Sequence, residues 1–96
     1  MFSFGFTQES KQQLKQLKDD PSRRNSYNAV TKALQYLQRD PRHNSLHSKR
    51  FYSLDGANGE KMMESYVQHR RPNPFRILWY YDSEERGRII IYSIIP

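Results

Sequence analysis

The chain has no cysteine, which excludes a disulfide framework and thiolate chemistry and suits a reducing compartment. Apolar residues are scarce, at 35% of the composition with a mean hydropathy of −1.01. No apolar run approaches the roughly 20 residues that a membrane span requires. Met1-Phe2-Ser3-Phe4-Gly5-Phe6 is too short and too uncharged for a secretory leader. A soluble, cytoplasmic domain without membrane contact is the expectation. No phosphate-cradling glycine loop is present, since Gly56 and Gly59 fall in a turn with neither a following helix nor a suitably placed lysine. Serine-nucleophile signatures are missing. His43 and His47 stand four apart, but Pro41 and a polar loop keep them off a common helix face. With no cysteine and no clustered carboxylates beside them, neither a metal site nor a cofactor is expected.

Acidic residues are also in deficit, ten against sixteen Lys and Arg, for a net charge of +6 and a pI near 9.8. That balance favours a polyanionic partner, either nucleic acid or an acidic protein segment. Ninety-six residues make one domain, 1–96, with a modest core in which five Phe, seven Tyr and one Trp do much of the filling.

Phe75-Arg76-Ile77-Leu78-Trp79-Tyr80-Tyr81-Asp82 is the one long run apolar on both faces. In an extended chain Phe75, Ile77, Trp79 and Tyr81 share one side, and Arg76, Leu78, Tyr80 and Asp82 the other. Its aromatic density favours a strand, and cover on both faces places that strand in the middle of a sheet. Arg76 inside it has to be ion-paired or to face a groove that uses its charge.

Around this strand the chain reads in order. Phe2, Phe4 and Phe6 alternate as a short strand with one buried face. Thr7 can cap a polar helix from about Gln8 to Asp19, whose only large apolar residues are Leu14 and Leu17. A second helix runs from about Arg23 to Arg39, with Ser22 as its expected cap and a stripe of Tyr27, Val30, Leu34 and Leu37. Asp20-Pro21 and Asp40-Pro41 end the two helices, and the short break implies an antiparallel helical hairpin. Both thin stripes need a sheet to lie on. After a polar connector anchored by Leu46 come strands at Lys49–Leu54, Lys61–Val67, Phe75–Asp82 and Arg88–Ile95. Turn-sized links make these a four-strand antiparallel meander. The predicted class is α+β, with an N-terminal strand and a helical hairpin packed on a mostly antiparallel sheet. The sequence reaches Pro96 while still reading as strand.

This order resembles the RelE/ParE superfamily of toxins from bacterial type II toxin–antitoxin pairs. Leu46 to Leu54 looks like that family's leucine-led run into the sheet, and Glu64 to Val67 resembles its next strand. Phe75 to Asp82 is similar to its aromatic-Arg-aliphatic strand, and Gly87 to Pro96 to its closing strand. The resemblance implies a toxin acting on mRNA at the ribosome as a metal-independent endoribonuclease, in which a 2′-hydroxyl attacks the adjacent phosphate. Arg76 takes the position of the family's strand arginine and becomes the phosphate ligand, with Tyr66 and Tyr80 as further catalytic candidates. A cognate antitoxin is the implied partner. The alternative is a ParE-like member that inhibits DNA gyrase by binding, or a toxin that only binds. Met63, Glu64, Ser65 and Tyr66 stand where active relatives carry lysines, a departure that favours the alternative.

Each candidate also has a structural reading. Arg76 can pair with Glu64 across adjacent strands. His69, Arg70 and Arg71, with Arg76 and Arg88, can line one end of the sheet as a nucleic-acid contact or form a solvated loop. Tyr66, Tyr80 and Tyr92 can stack on bases or stand as half-buried sheet residues.

Overall fold

The computed structural model describes residues 1–67 and 75–96. In chain order they form β1 (Ser3–Phe6), α1 (Gln8–Asp19), α2 (Arg24–Arg39), β2 (Lys49–Asp55), β3 (Lys61–Tyr66), β4 (Arg76–Tyr81) and β5 (Arg88–Ile95). All five strands join one sheet in the order β1-β5-β4-β3-β2, so β4 is central, as its two apolar faces require. Pairing from β2 through β5 is antiparallel, whereas β1 lies parallel to β5, with Ser3 opposite Arg88 and Phe6 opposite Ile91. The sheet is therefore mixed. Both helices and three strands intervene between β1 and β5, which leaves room for the crossover that a parallel neighbour needs. No helix among the described residues is long and apolar enough to cross a membrane.

Polar side chains, more than an apolar stripe, hold α1 on the sheet. The Thr7 hydroxyl accepts from the Ser10 amide at 3.1 Å, capping the helix, and donates to the Tyr92 carbonyl at 2.7 Å. That carbonyl is available because Tyr92 is the extra residue of a bulge, where Leu78 pairs with Ser93 and Trp79 with Ile91. Fully buried Ser10 donates to the Ile91 carbonyl at 2.8 Å, and the Gln13 amide oxygen accepts from the Ile94 N–H at 2.6 Å. The Thr7 and Gln13 bonds occupy the edge of β5 beyond the end of β1 and satisfy groups otherwise stranded there, while the Ile91 carbonyl, which also accepts from the Thr7 amide at 3.1 Å, gains a second donor in Ser10. Leu17 adds the apolar contact.

Helix α2 contributes the larger apolar face, with Val30 and Leu37 fully buried. The expected Ser22 cap is overtaken. Asp20 accepts from the Ser22 amide at 3.0 Å and caps a 3₁₀ turn over Pro21–Arg23, so α2 begins one residue later with no side-chain cap. Against α2 the sheet presents Ile77, Trp79, Ile89 and Ile91. The Trp79 indole N–H donates to Ser65 Oγ at 2.8 Å, and Ser65 lies 2.7 Å from Ser48 Oγ. Ser48 has one proton and gives it to the Pro41 carbonyl, so Ser65 donates to Ser48 and the three bonds run in one direction. This chain ties the α2–β2 connector to the core. Leu46, buried from the same connector, is the anchor expected of it.

The opposite face carries a smaller cluster of Met62, Leu78 and Tyr80, with Phe51, Ile90 and Tyr92 around it. The β2–β3 turn closes over Tyr80 at Gly56, where a Cβ would stand 2.9 Å from Tyr80 Cδ2. Glu60 clamps that turn to the β4–β5 turn. Its carboxylate accepts from the Asn58 amide at 2.8 Å and from the Ser83 hydroxyl and amide at 2.9 and 3.2 Å. Partial desolvation opposes its charge, but those donors and its own N–H outweigh it and hold the carboxyl at about 2, against an ordinary 4.5. A depressed carboxyl contributes stability above its unfolded pKa and loses it as pH falls through the folded one. Thermal melts of wild type and Glu60→Gln should therefore differ most above pH 4.5, and the gap should close as pH falls towards 2. A gap independent of pH would show that the clamp does not depend on charge.

Candidate functional site

The β3–β4 register sets Tyr66 directly opposite Arg76 and Glu64 opposite Leu78, so Glu64 and Arg76 are diagonal neighbours on the face without helices. On the other side Glu64 is the direct partner of Lys49 in β2. Its carboxylate, with only 5% of the side chain exposed, accepts from Arg76 Nη1 at 3.2 Å and from Lys49 Nζ at 3.3 Å. The Tyr66 hydroxyl lies 3.5 Å from Glu64 Oε1, and the Lys49 ammonium stands 5.4 Å over the Tyr66 ring. One buried carboxylate thus joins three strands and gathers two cations and a phenol. A buried charge persists only when paired this way. Hydrogen bonding to Tyr66, then to Glu64, raises the Lys49 pKa, so its ammonium stays charged.

Arg76 is not used up by this pair. Its side chain is 35% exposed, and among the described residues its guanidinium makes only the Nη1 contact with Glu64. Among the described residues the remaining N–H groups of the fork have no partner, and they suit an oxyanion. Both sequence readings of Arg76 are compatible, because Glu64 fixes its orientation while its outer edge meets solvent.

Of the candidate residues, Tyr66 and Arg76 come together. Tyr80 does not join them. It is buried at 6% exposure with Met62 and Leu78, four residues along β4 from Arg76, about 13 Å at strand rise. The expectation that Arg88 lines the same sheet end as Arg76 is corrected. Arg76 pairs with Ile95, and Arg88 lies seven residues back beside the β4–β5 turn, about 23 Å away along the strand. Arg88 is held there by Asp82 and Glu85, each at 3.5 Å. Tyr92 packs half-buried beside the Tyr80 cluster. His69, Arg70 and Arg71 lie outside the described residues, between Val67 and Phe75, which are bonded N–H to carbonyl at 2.9 Å.

His43 and His47 both border one cleft beside the α2–β2 connector. His43 Nδ1 accepts from the Ser45 amide at 3.1 Å, and its ring stacks on Tyr36 at 4.3 Å. No group of three metal-ligating side chains occurs among the described residues. Lys49 is the member that sequence reasoning missed. Its signal is opposite charge at positions that a β2–β3 hairpin brings face to face, but three additional residues in β2 between Arg50 and Asp55 obscure that register. No protein-family model matches the chain, and no curated protein sequence matches it.

Either cation alone still compensates Glu64, so Lys49→Ala and Arg76→Ala should each be mildly destabilising. The double variant strands a buried carboxylate, which costs roughly 3–5 kcal/mol. Urea denaturation should show a loss well beyond the sum of the singles. Additive losses would mean that Glu64 is not held by the pair.

Proposed function

We propose that this chain is a toxin of a type II toxin–antitoxin pair, of the RelE kind, and cleaves mRNA on the ribosome without a metal. The observation that carries the reading is the half-open Arg76 guanidinium, oriented by Glu64 and faced by Tyr66. Metal-free RNA cleavage needs a proton acceptor for the 2′-hydroxyl, fixed positive charge for the crowded phosphorane and a donor for the leaving 5′-oxygen. Arg76 takes the phosphate in its fork. As the phosphate draws Arg76 away from Glu64, the carboxylate is released to accept the 2′-hydroxyl proton. The 2′-oxygen then bonds to phosphorus, the bond to the 5′-oxygen breaks, and the Tyr66 hydroxyl protonates that oxygen. Lys49 beside Tyr66 stabilises the phenolate that remains. The products are a 2′,3′-cyclic phosphate and a free 5′-hydroxyl. Tyr80, buried in its cluster, shapes the floor and does not touch substrate.

A second reading is favoured by one observation: both cations of the cluster are ion-paired to the same carboxylate, Glu64. A ParE-like toxin that inhibits DNA gyrase by binding needs no reactive set. In either case the partner is an antitoxin whose acidic or amphipathic segment covers the basic surface. Primer extension on a defined mRNA with translating ribosomes distinguishes the two. Cuts at fixed A-site positions, reduced at least about 100-fold in Arg76→Ala, are expected. Intact mRNA with altered plasmid supercoiling would replace the nuclease with the gyrase inhibitor.

A further inference from the structure

A cleft of about 480 Å³ opens on the helix side of the sheet, away from the Glu64 cluster, where the α2–β2 connector passes β3 and β4. Its floor is Met63, Trp79 and Tyr81, and its rim is Arg42, Asn44 and His47. The volume falls in the range of small-ligand sites. Three features distinguish it from a packing defect.

The first is charge. No carboxylate lines the cleft, and among the described residues the Arg42 guanidinium on its rim has no ion-pair partner. Nearby Asp40 accepts from the Arg42 amide at 3.0 Å and does not neutralise the guanidinium.

The second is an exposed aromatic. Ile77, Trp79 and Tyr81 alternate onto the helix side, and the first two are buried, yet Tyr81 is 45% exposed. Its ring is set edge-on against Trp79, with centroids 5.0 Å apart, so it is rigidly placed. Among the described residues Tyr81 is the one large exposed apolar side chain that lines this cleft.

The third is a connector held in a strained shape. His47 has a left-handed backbone, φ 44 and ψ 46, which costs a non-glycine residue free energy and persists only when its surroundings enforce it. Ser48 enforces it through its bond to the Pro41 carbonyl and the link through Ser65 to Trp79. The rim is thereby fixed to the floor before any ligand arrives, which lowers the cost of binding.

We propose that this cleft binds a nucleotide unit, its phosphate on Arg42 and His47 and its base on the open part of Tyr81. The chemistry is the same for a free mononucleotide and for one residue of a single-stranded RNA. It does not depend on the cleavage chemistry proposed above. Trp79 is the only tryptophan in the chain and forms part of the floor, so its fluorescence reports occupancy directly.

The test is titration of the full chain with 5′-AMP, adenosine, inorganic phosphate and a short 2′-deoxy-blocked oligonucleotide, followed at Trp79. Saturable binding of 5′-AMP is expected, tighter than adenosine or phosphate, and weakened at least about tenfold in Arg42→Ala by loss of a charge-assisted contact. Tighter binding of the oligonucleotide, displaced by 5′-AMP, would assign the site to RNA. Binding of 5′-AMP alone would assign it to a free nucleotide. A linear, salt-suppressed response, or equal affinity in wild type and a normally folded Arg42→Ala, would overturn the proposal. Lys61→Ala, an exposed change outside the cleft, should leave the affinity unchanged and controls for net charge.

Discussion

A single buried carboxylate organises the open face of this protein. Glu64 sits in β3 with Lys49 on one side and Arg76 on the other, so its charge links β2, β3 and β4 side by side. Removing a carboxylate from water is costly, and these two cations offset that cost only in this register. The dependence runs both ways. Arg76 keeps its direction because Glu64 is buried, and Tyr66 and Lys49 are brought to the same place by it. A slip of one residue in β3 would turn Glu64 into the core and Ser65 out of it, breaking both the ion pairs and the hydrogen bond from Trp79.

The same economy shapes the other side of the sheet. With few apolar residues to spend, α1 is attached by hydroxyl and amide groups that meet backbone left open by a bulge and by the short β1. The connector after α2 is attached through serines to the one tryptophan. Buried Ser10, Ser65 and Ser93 are tolerated here because each is hydrogen-bonded, and they fix positions that a thin apolar stripe would leave loose. The strained His47 and the exposed Tyr81 both occur where this polar attachment ends.

Much of the fold is legible in the sequence, for identifiable reasons. The strand around Trp79 announces its central place by being apolar on both faces, and Thr7 announces the start of α1. The parallel placement of β1 is not legible, because period-two alternation carries no information on direction. The pairing of Arg76 with Glu64 is foreseeable from charge, but its diagonal geometry depends on a register that hydrophobic pattern alone leaves open. Tyr80 reads as available for stacking until Gly56 is seen to close over it. Arg88 is misplaced by treating basic residues as one patch, whereas hairpin polarity sends it to the turn.

In the mechanism proposed above, Glu64 both anchors Arg76 and accepts a proton when Arg76 engages a phosphate. Glu64→Gln separates these roles, since the amide retains an oxygen acceptor for Arg76 and Lys49 but is no base. The most direct measurement is the single-turnover rate of mRNA cleavage on programmed ribosomes by wild type and Glu64→Gln, both shown to be folded by their melting transitions. That mechanism predicts a rate lower by about 10²–10⁴ in the variant, the usual contribution of a positioned general base. A rate unchanged from wild type would contradict it and leave Glu64 as a structural crosslink only.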